Sequence, residues 1–425
     1  MKRALLGALL AGALLLLALV LSLGFWGEGE IHDVPPLTPP SGETVARGAY
    51  MVRAGNCLAC HTERGGAPFA GGRPVETPFG TVYTSNITPD RSTGIGDWSA
   101  GQFWRALHEG RAPEGRLLYP AFPYPNYTLV TRADADAMYH YLRSVPARKR
   151  PNTPHQLRWP YSTQAALAAW RSLFFRPGEH RADPARPEDW NRGAYLVRGL
   201  GHCSACHSTR NALGASSDMM DLAGGLIPMH NWYAPALNSP LEAGVAEWDP
   251  ADVQRLLQTG VGAGATVLGP MAEVVLQSTQ HLTSADLRAM AVFLKSLPQA
   301  VPAGTAEPAA RSERVAERGA KLYGEHCERC HGERGEGVAG AYPPLAGNRA
   351  VNLTVTANLV QVVLNGGFPP ATAGNPRPFG MPPYATVLGD SDVAAVLSHI
   401  RGSWGNQAPP VSELAVSRQR GNTGP

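Results

Sequence analysis

All six cysteines of this 425-residue chain fall in three copies of one short pattern, C-x-x-C-H. The copies are RGAYMVRAGNCLACH (Arg47 to His61), RGAYLVRGLGHCSACH (Arg192 to His207) and RGAKLYGEHCERCH (Arg318 to His331). From the arginine to the first cysteine the gap is 10, 11 and 9 residues, so the copies differ by small insertions. Each reads as a short amphipathic helix running into the motif.

C-x-x-C-H is the attachment sequence for c-type haem. Two thiols one helical turn apart reach the two vinyl groups of one haem. The adjacent histidine then offers its imidazole to the iron. The attachment residues are Cys57, Cys60 and His61; Cys203, Cys206 and His207; and Cys327, Cys330 and His331. Six cysteines in an exported protein would by default read as three disulfides, but three attached haems leave no thiol for one. A thioredoxin-like site needs a βαβ context, which is not seen. A zinc site needs a second ligand pair nearby.

Further elements repeat after each motif. WSAGQFWRALHEG (98–110), WDPADVQRLLQTG (248–260) and LTVTANLVQVVLNGG (353–367) show helical apolar spacing closed by glycine. TRADADAMYHYLRSVP (131–146), LTSADLRAMAVFLKSLP (282–298) and GDSDVAAVLSHIRGSW (389–404) read as closing helices begun by hydroxyl or acidic turns. No strand-rich segment is evident. Gly and Pro make up about a fifth of the chain, which implies much loop between helices. The expected fold is mainly α: three tandem class I cytochrome c-like domains at 43–147, 187–299 and 312–405. Proline-rich connections separate them: VPPLTPPSGE, residues 148–186, and PQAVPAGTAEPAA.

Residues 1–27 read as an N-terminal transmembrane anchor or signal. Lys2 and Arg3 precede an uncharged run from Ala4 to Trp26, long enough to span a bilayer. The run exceeds a usual signal-peptide core, and no A-x-A-like site follows it. The positive-inside rule puts the remainder outside the cytoplasm. Net charge is only +3 with no basic block, so nucleic acid is not an expected partner.

A sixth iron ligand commonly comes from a later methionine loop. Met271 in VLGPMAEVV follows Cys203 by 68 residues, and Met381 in PFGMPPYAT follows Cys327 by 54. The alternative for any lone methionine is core filling. In the first repeat the same slot, LLYPAFPYPNY, carries Phe122, which cannot bind iron. Met51 and Met138 sit on helices expected to pack together, so core is their reading. His108 and His140 are possible nitrogen ligands at helical positions with an ordinary surface reading. The expectation is a first haem without thioether and of lower potential. Tyr50, Tyr195 and Tyr323, and Trp98 and Trp248, could touch haem or simply pack helices.

The chain resembles the three-haem cytochrome c subunits of membrane-bound quinone-reducing dehydrogenases for alcohols, aldehydes, gluconate or related sugars. The stretches that carry the resemblance are TPFGTVYTSNITPDRSTGIGDWSAGQFWRALHEG, LLYPAFPY, NWYAPALN and PFGMPPYA, within residues 43–405. It implies a catalytic partner holding a flavin, pyrroloquinoline quinone or molybdenum cofactor, with electrons passed on to ubiquinone in the respiratory chain. The family usually has methionine where Phe122 stands, and a C-terminal amphipathic segment where this chain has a long N-terminal run. ALNSPLEAGVAEW is a weaker form of the family's repeated phrase.

No G-x-G-x-x-G after a strand, P-loop or G-x-S-x-G context occurs. The leading reading is therefore an electron-transfer subunit, not the substrate-oxidising centre. Two alternatives stay open: a haem enzyme using an open first haem, and a cytochrome subunit of a terminal-oxidase-type complex.

Overall fold

The computed structural model describes residues 2–26, 40–216, 221–262, 265–300 and 312–421. Most of the two proline-rich connections VPPLTPPSGE and PQAVPAGTAEPAA lies outside them. The chain forms two compact units. One comprises Met1–Pro184, Tyr195–Ala205 and Arg210–Ser216; the other comprises Ala185–Ala194, Cys206–Thr209 and Ser217–Pro425.

The three repeats share one helix crossing. The entry helices Gly42–Ala54, Glu188–Ala194 and Glu313–His326 pack on the closing helices Arg132–Ser144, Ser284–Lys295 and Asp390–Ile400. The R-G-A triplet explains why. A Cβ at Gly48 would lie 1.9 Å from the Ala137 carbonyl oxygen, at Gly193 2.0 Å from that of Ala289, and at Gly319 2.4 Å from that of Ala395. Only glycine permits such an approach of two backbones. The preceding arginine locks each crossing: Arg47 pairs with Asp134 at 2.7 Å, Arg192 with Asp286 at 2.7 Å, and Arg318 with Asp392 at 2.5 Å. Asp134 and Asp286 stand at the third helical position, where Thr131 and Thr283 accept their backbone N–H as N-caps.

The second helices lie where their spacing predicts: Ala100–Glu109, Pro250–Thr259 and Ala357–Asn365. Ser99 and Gln102 close a capping box on the first. Gly110, Gly260 and Gly366 end them at φ 62°, 78° and 63°, the left-handed region. The extra residue of the second repeat is absorbed in place: Tyr195–Leu200 forms a π-helical turn directly before the second motif.

Four features depart from the expectation. Short strands occur: Pro74–Thr77 and Gly80–Tyr83 form a hairpin, to which Gln156–Leu157 adds a third strand. The expected connection 148–186 contains the helix Gln164–Phe174, N-capped by Thr163. A further helix, Glu413–Gly421, forms near the C-terminus. Its Val416 joins Val360, Leu364, Val393 and Leu397 in one buried cluster, where each side chain contributes about 2 kcal/mol. Met271, expected in a loop, lies in the first turn of the helix Pro270–Gln277, because proline at the first position favours helix initiation.

Lys2–Trp26 is helical. Gly24 at its end lies so near the Ala168 backbone that a Cβ would come within 2.1 Å of that carbonyl oxygen. Part of this helix's side chains falls outside the described ones. Among the described residues, no helix is long and apolar enough to cross a membrane.

Candidate haem-attachment sites

Each C-x-x-C-H motif forms one turn of helix: Cys57–Cys60, Ser204–His207 and Glu328–His331. The His61 and His331 backbone N–H groups donate to the Cys57 and Cys327 carbonyls at 2.9 and 3.0 Å. The turn sets both thiols of a motif on neighbouring positions, as the sequence reading required. None of the six cysteines forms a disulfide.

The three histidines are held in one way. His61 Nδ1 lies 2.7 Å from the Ser85 carbonyl, His207 Nδ1 2.7 Å from that of Pro235, and His331 Nδ1 3.1 Å from that of Pro343. A carbonyl only accepts, so Nδ1 carries the proton and donates. The lone pair is then left on Nε2, the nitrogen a metal would take. Burial lowers the pKa of all three imidazoles, against the opposing pull of the carbonyls, and so favours the neutral ligand form.

These carbonyl acceptors were missed from the sequence, although a signal exists. Each stands two residues before an aliphatic side chain: Ser85 before Ile87, Pro235 before Leu237, Pro343 before Leu345. The first two fall within stretches that carry the family resemblance.

The thiols also speak against the other cysteine chemistries. Burial, followed by the charge of Cys60, pushes the Cys57 thiol up to about 12, and burial with Cys330 pushes Cys327 to about 11. A redox-active pair needs a lowered pKa, because the thiolate is the reactive form. Among the described residues no cluster of three or more His, Cys, Asp or Glu could hold a metal ion. Cysteine pairs outside any disulfide, beside neutral, Nδ1-anchored imidazoles, are the donor set that covalent haem requires.

The distal candidates stand as follows. Met381 is half-buried, with its N–H donating to the Gly367 carbonyl at 2.8 Å, and packs on the Val360 cluster. Met271 is half-buried, just after Gly269, whose missing side chain leaves room for the Trp232 ring. Phe122 is half-buried and packs on Tyr127, with ring centroids 5.3 Å apart. Met51 and Met138 are buried at 4% and 1% exposure, which bears out the core reading. His108 stacks on Trp104 at 4.2 Å and donates Nδ1–H to the Thr128 carbonyl at 2.8 Å. His140 sits half-buried beside Tyr139. Tyr195 and Tyr323 have definite packing roles: Tyr195 donates to Asp134 at 2.6 Å, and Tyr323 to the Gly332 carbonyl at 2.5 Å. Trp98 accepts from Tyr139 through its carbonyl, and the Arg349 guanidinium lies over Trp248.

Comparison with known proteins agrees with this chemistry. Residues 316–404 match the cytochrome c family, whose domains carry haem covalently. The cytochrome c subunit of a quinone alcohol dehydrogenase from Gluconacetobacter polyoxogenes is 37% identical over 89% of this chain and 84% of its own length. The gluconate 2-dehydrogenase cytochrome c subunit of Pantoea cypripedii is 38% identical over 86% of each chain. The fructose dehydrogenase cytochrome subunit of Gluconobacter japonicus is 33% identical over 90% of this chain and 84% of its own. With identity of this level running through most of both chains, this protein belongs to the family of cytochrome c subunits of alcohol, gluconate and fructose dehydrogenases.

Proposed function

We propose that this chain carries three covalent haems and relays electrons from a catalytic dehydrogenase subunit to ubiquinone or another respiratory acceptor. The observation that carries the reading is the threefold recurrence of two cysteines outside any disulfide beside a histidine whose Nδ1 is tied to a backbone carbonyl. The haem domains are 43–147, 187–299 and 312–405. His61, His207 and His331 are the proximal ligands. Met271 and Met381 are the distal ligands of the second and third haems. The first haem, facing Phe122, has no thioether and the lowest thioether-dependent contribution to its potential. Haem supplies the reversible one-electron chemistry; the chain's residues orient it, tune it and exclude water.

The partner subunit holds a flavin, pyrroloquinoline quinone or molybdenum cofactor. The haem domains lie in the periplasm, tethered to the inner membrane by the N-terminal helix. Support for the tether comes from the uncharged run Ala4 to Trp26, which lies within the helix Lys2–Trp26 of about 37 Å, and from the exposed Leu5, Leu6, Leu10, Leu14, Leu15 and Leu19.

A pyridine haemochrome assay against protein concentration tests the haem count. Three haems per chain are expected; one or two would overturn the reading. Extraction in mild detergent should bring down a dehydrogenase whose substrate reduces the haems. Recovery with a copper–haem oxidase instead would favour the terminal-oxidase alternative. Carbon monoxide should perturb only the first haem; resistance of all three would remove the open-site reading.

A further inference from the structure

Tyr127 touches two attachment segments at once. It is buried at 5% exposure. Its hydroxyl donates to the Gly55 carbonyl at 2.8 Å, two residues before Cys57. The same oxygen lies 3.4 Å from His202 Nδ1, and the two rings meet edge to face at 5.4 Å. His202 directly precedes Cys203. A single side chain therefore stands between the segment that holds the first haem and the segment that begins the second.

Comparison with the third repeat shows what is ordinary here and what is not. Tyr384 follows Met381 and donates its hydroxyl to the His326 carbonyl at 2.8 Å, immediately before Cys327; its ring meets the His326 ring edge to face at 5.8 Å. A tyrosine from the distal loop anchoring the residue before the first cysteine is thus a feature of the fold. In the third repeat the tyrosine and the histidine both belong to one repeat. The second repeat has the histidine, His202, but its own distal segment, MAEVV, has no tyrosine. Its partner is Tyr127 of the first repeat.

Two further observations hold this arrangement in place. Asn126, next to Tyr127 and buried, donates Nδ2–H to the Arg198 carbonyl and to Ser204 Oγ, both at 2.8 Å; Ser204 lies inside the second motif. His202 has φ 39°, the left-handed region. That strained backbone turns the chain between Leu200 and Cys203 and is stabilised by Nδ1 of His202 meeting the Leu200 carbonyl at 2.9 Å.

We propose that Tyr127 and His202 form the electronic coupling bridge between the first and second haem sites. The path runs from Cys57 through two residues of backbone, one hydrogen bond to the phenol, one ring contact to the imidazole, and one peptide to Cys203. Tunnelling is attenuated less through bonds and hydrogen bonds than across gaps, so this route shortens the effective distance. With haem held at both motifs, one electron would pass from a ferrous to a ferric iron, the first oxidised and the second reduced, while no bond of Tyr127 or His202 forms or breaks. Both are positioning residues. The inference rests on the reading that haem occupies the first two motifs.

The test uses the full haem-loaded chain in detergent. An electron is injected by flash photolysis, and its distribution between the first two haems is followed by freeze-quench EPR. His202→Asn keeps a residue that tolerates left-handed backbone and removes the ring. Tyr127→Phe keeps the ring and removes the hydroxyl. Tyr384→Phe is the control, since it removes the matching bond in the third repeat. Exchange between the first two haems should slow several-fold in His202→Asn, less in Tyr127→Phe, and not at all in Tyr384→Phe. Haem content, static spectra and melting of His202→Asn should match the parent. An unchanged exchange rate with full haem content overturns the bridge. Equal slowing in Tyr384→Phe assigns the effect to structure and overturns it also. If His202→Asn loses haem, Tyr127→Phe decides. A parent chain with fewer than three haems is a separate failure, that of the proposed function.

Discussion

The first and third repeats carry the same distal scaffold with different chemistry in it. Both place a tyrosine hydroxyl on a backbone carbonyl one or two residues before the first cysteine. The third has Met381 three residues ahead of that tyrosine, packed on an aliphatic cluster. The first has Phe122 five residues ahead, packed on the tyrosine ring itself. The anchoring bond therefore belongs to the loop's architecture, while the ligand position varies independently of it. The entry crossings differ in the same graded way. The first repeat approaches more closely at its glycine, and its aspartate is nearly inaccessible, with 3% of the Asp134 side chain exposed against 23% for Asp392.

The largest separation of the two repeats should come from the glycine crossing. Gly48→Ala drives a methyl into a backbone carbonyl and should cost about 3 kcal/mol, with Gly319→Ala costing less. Thermal melts of the haem-loaded chain measure this; equal losses would mean the first crossing can relax. Next comes a reciprocal exchange of the ligand position. Met381→Phe should lower one haem potential by on the order of 0.1 V, within the roughly 0.8 V range that axial ligands command. Phe122→Met should raise the first and give it a low-spin thioether spectrum in a redox titration. An unchanged spectrum would show another side chain already bound to that iron.

The ion pair gives a smaller contrast. Asp134→Asn loses charged bonds to Arg47 and Tyr195 and should cost about 2 kcal/mol. Asp392→Asn, facing solvent, should cost about 0.5 kcal/mol. Urea midpoints at constant slope would show it. The smallest effect is the tyrosine bond: Tyr127→Phe and Tyr384→Phe should each cost about 1 kcal/mol. A clearly larger loss for Tyr127 would reflect its second contact, to His202.

The helices were readable because each carries its own local signals. Thr131, Thr283 and Ser99 cap them, and Gly110 and Gly260 stop them, within a few residues of chain. The three C-x-x-C-H motifs were readable because each is contiguous. The helix Gln164–Phe174 and the hairpin Pro74–Tyr83 were hidden: one lies in a proline-rich connection, and the other is too short for its alternation to stand out. Gly269 and Pro270 read in the sequence as turn residues and so place Met271 in a loop, but proline at the first helical position is equally good at starting a helix.

By itself, the sequence determined three C-x-x-C-H motifs, the histidine that closes each, the repeating helices and a phenylalanine at position 122 where the later repeats carry Met271 and Met381. All of these are properties of short contiguous stretches. Only the tertiary structure decided which nitrogen each histidine leaves free, since the acceptors Ser85, Pro235 and Pro343 lie 24, 28 and 12 residues away. It alone put Tyr127 against both Gly55 and His202, contacts separated by 72 and 75 positions in the chain. Such pairings join residues distant in the chain, so they form only when the whole unit packs and no local preference specifies them.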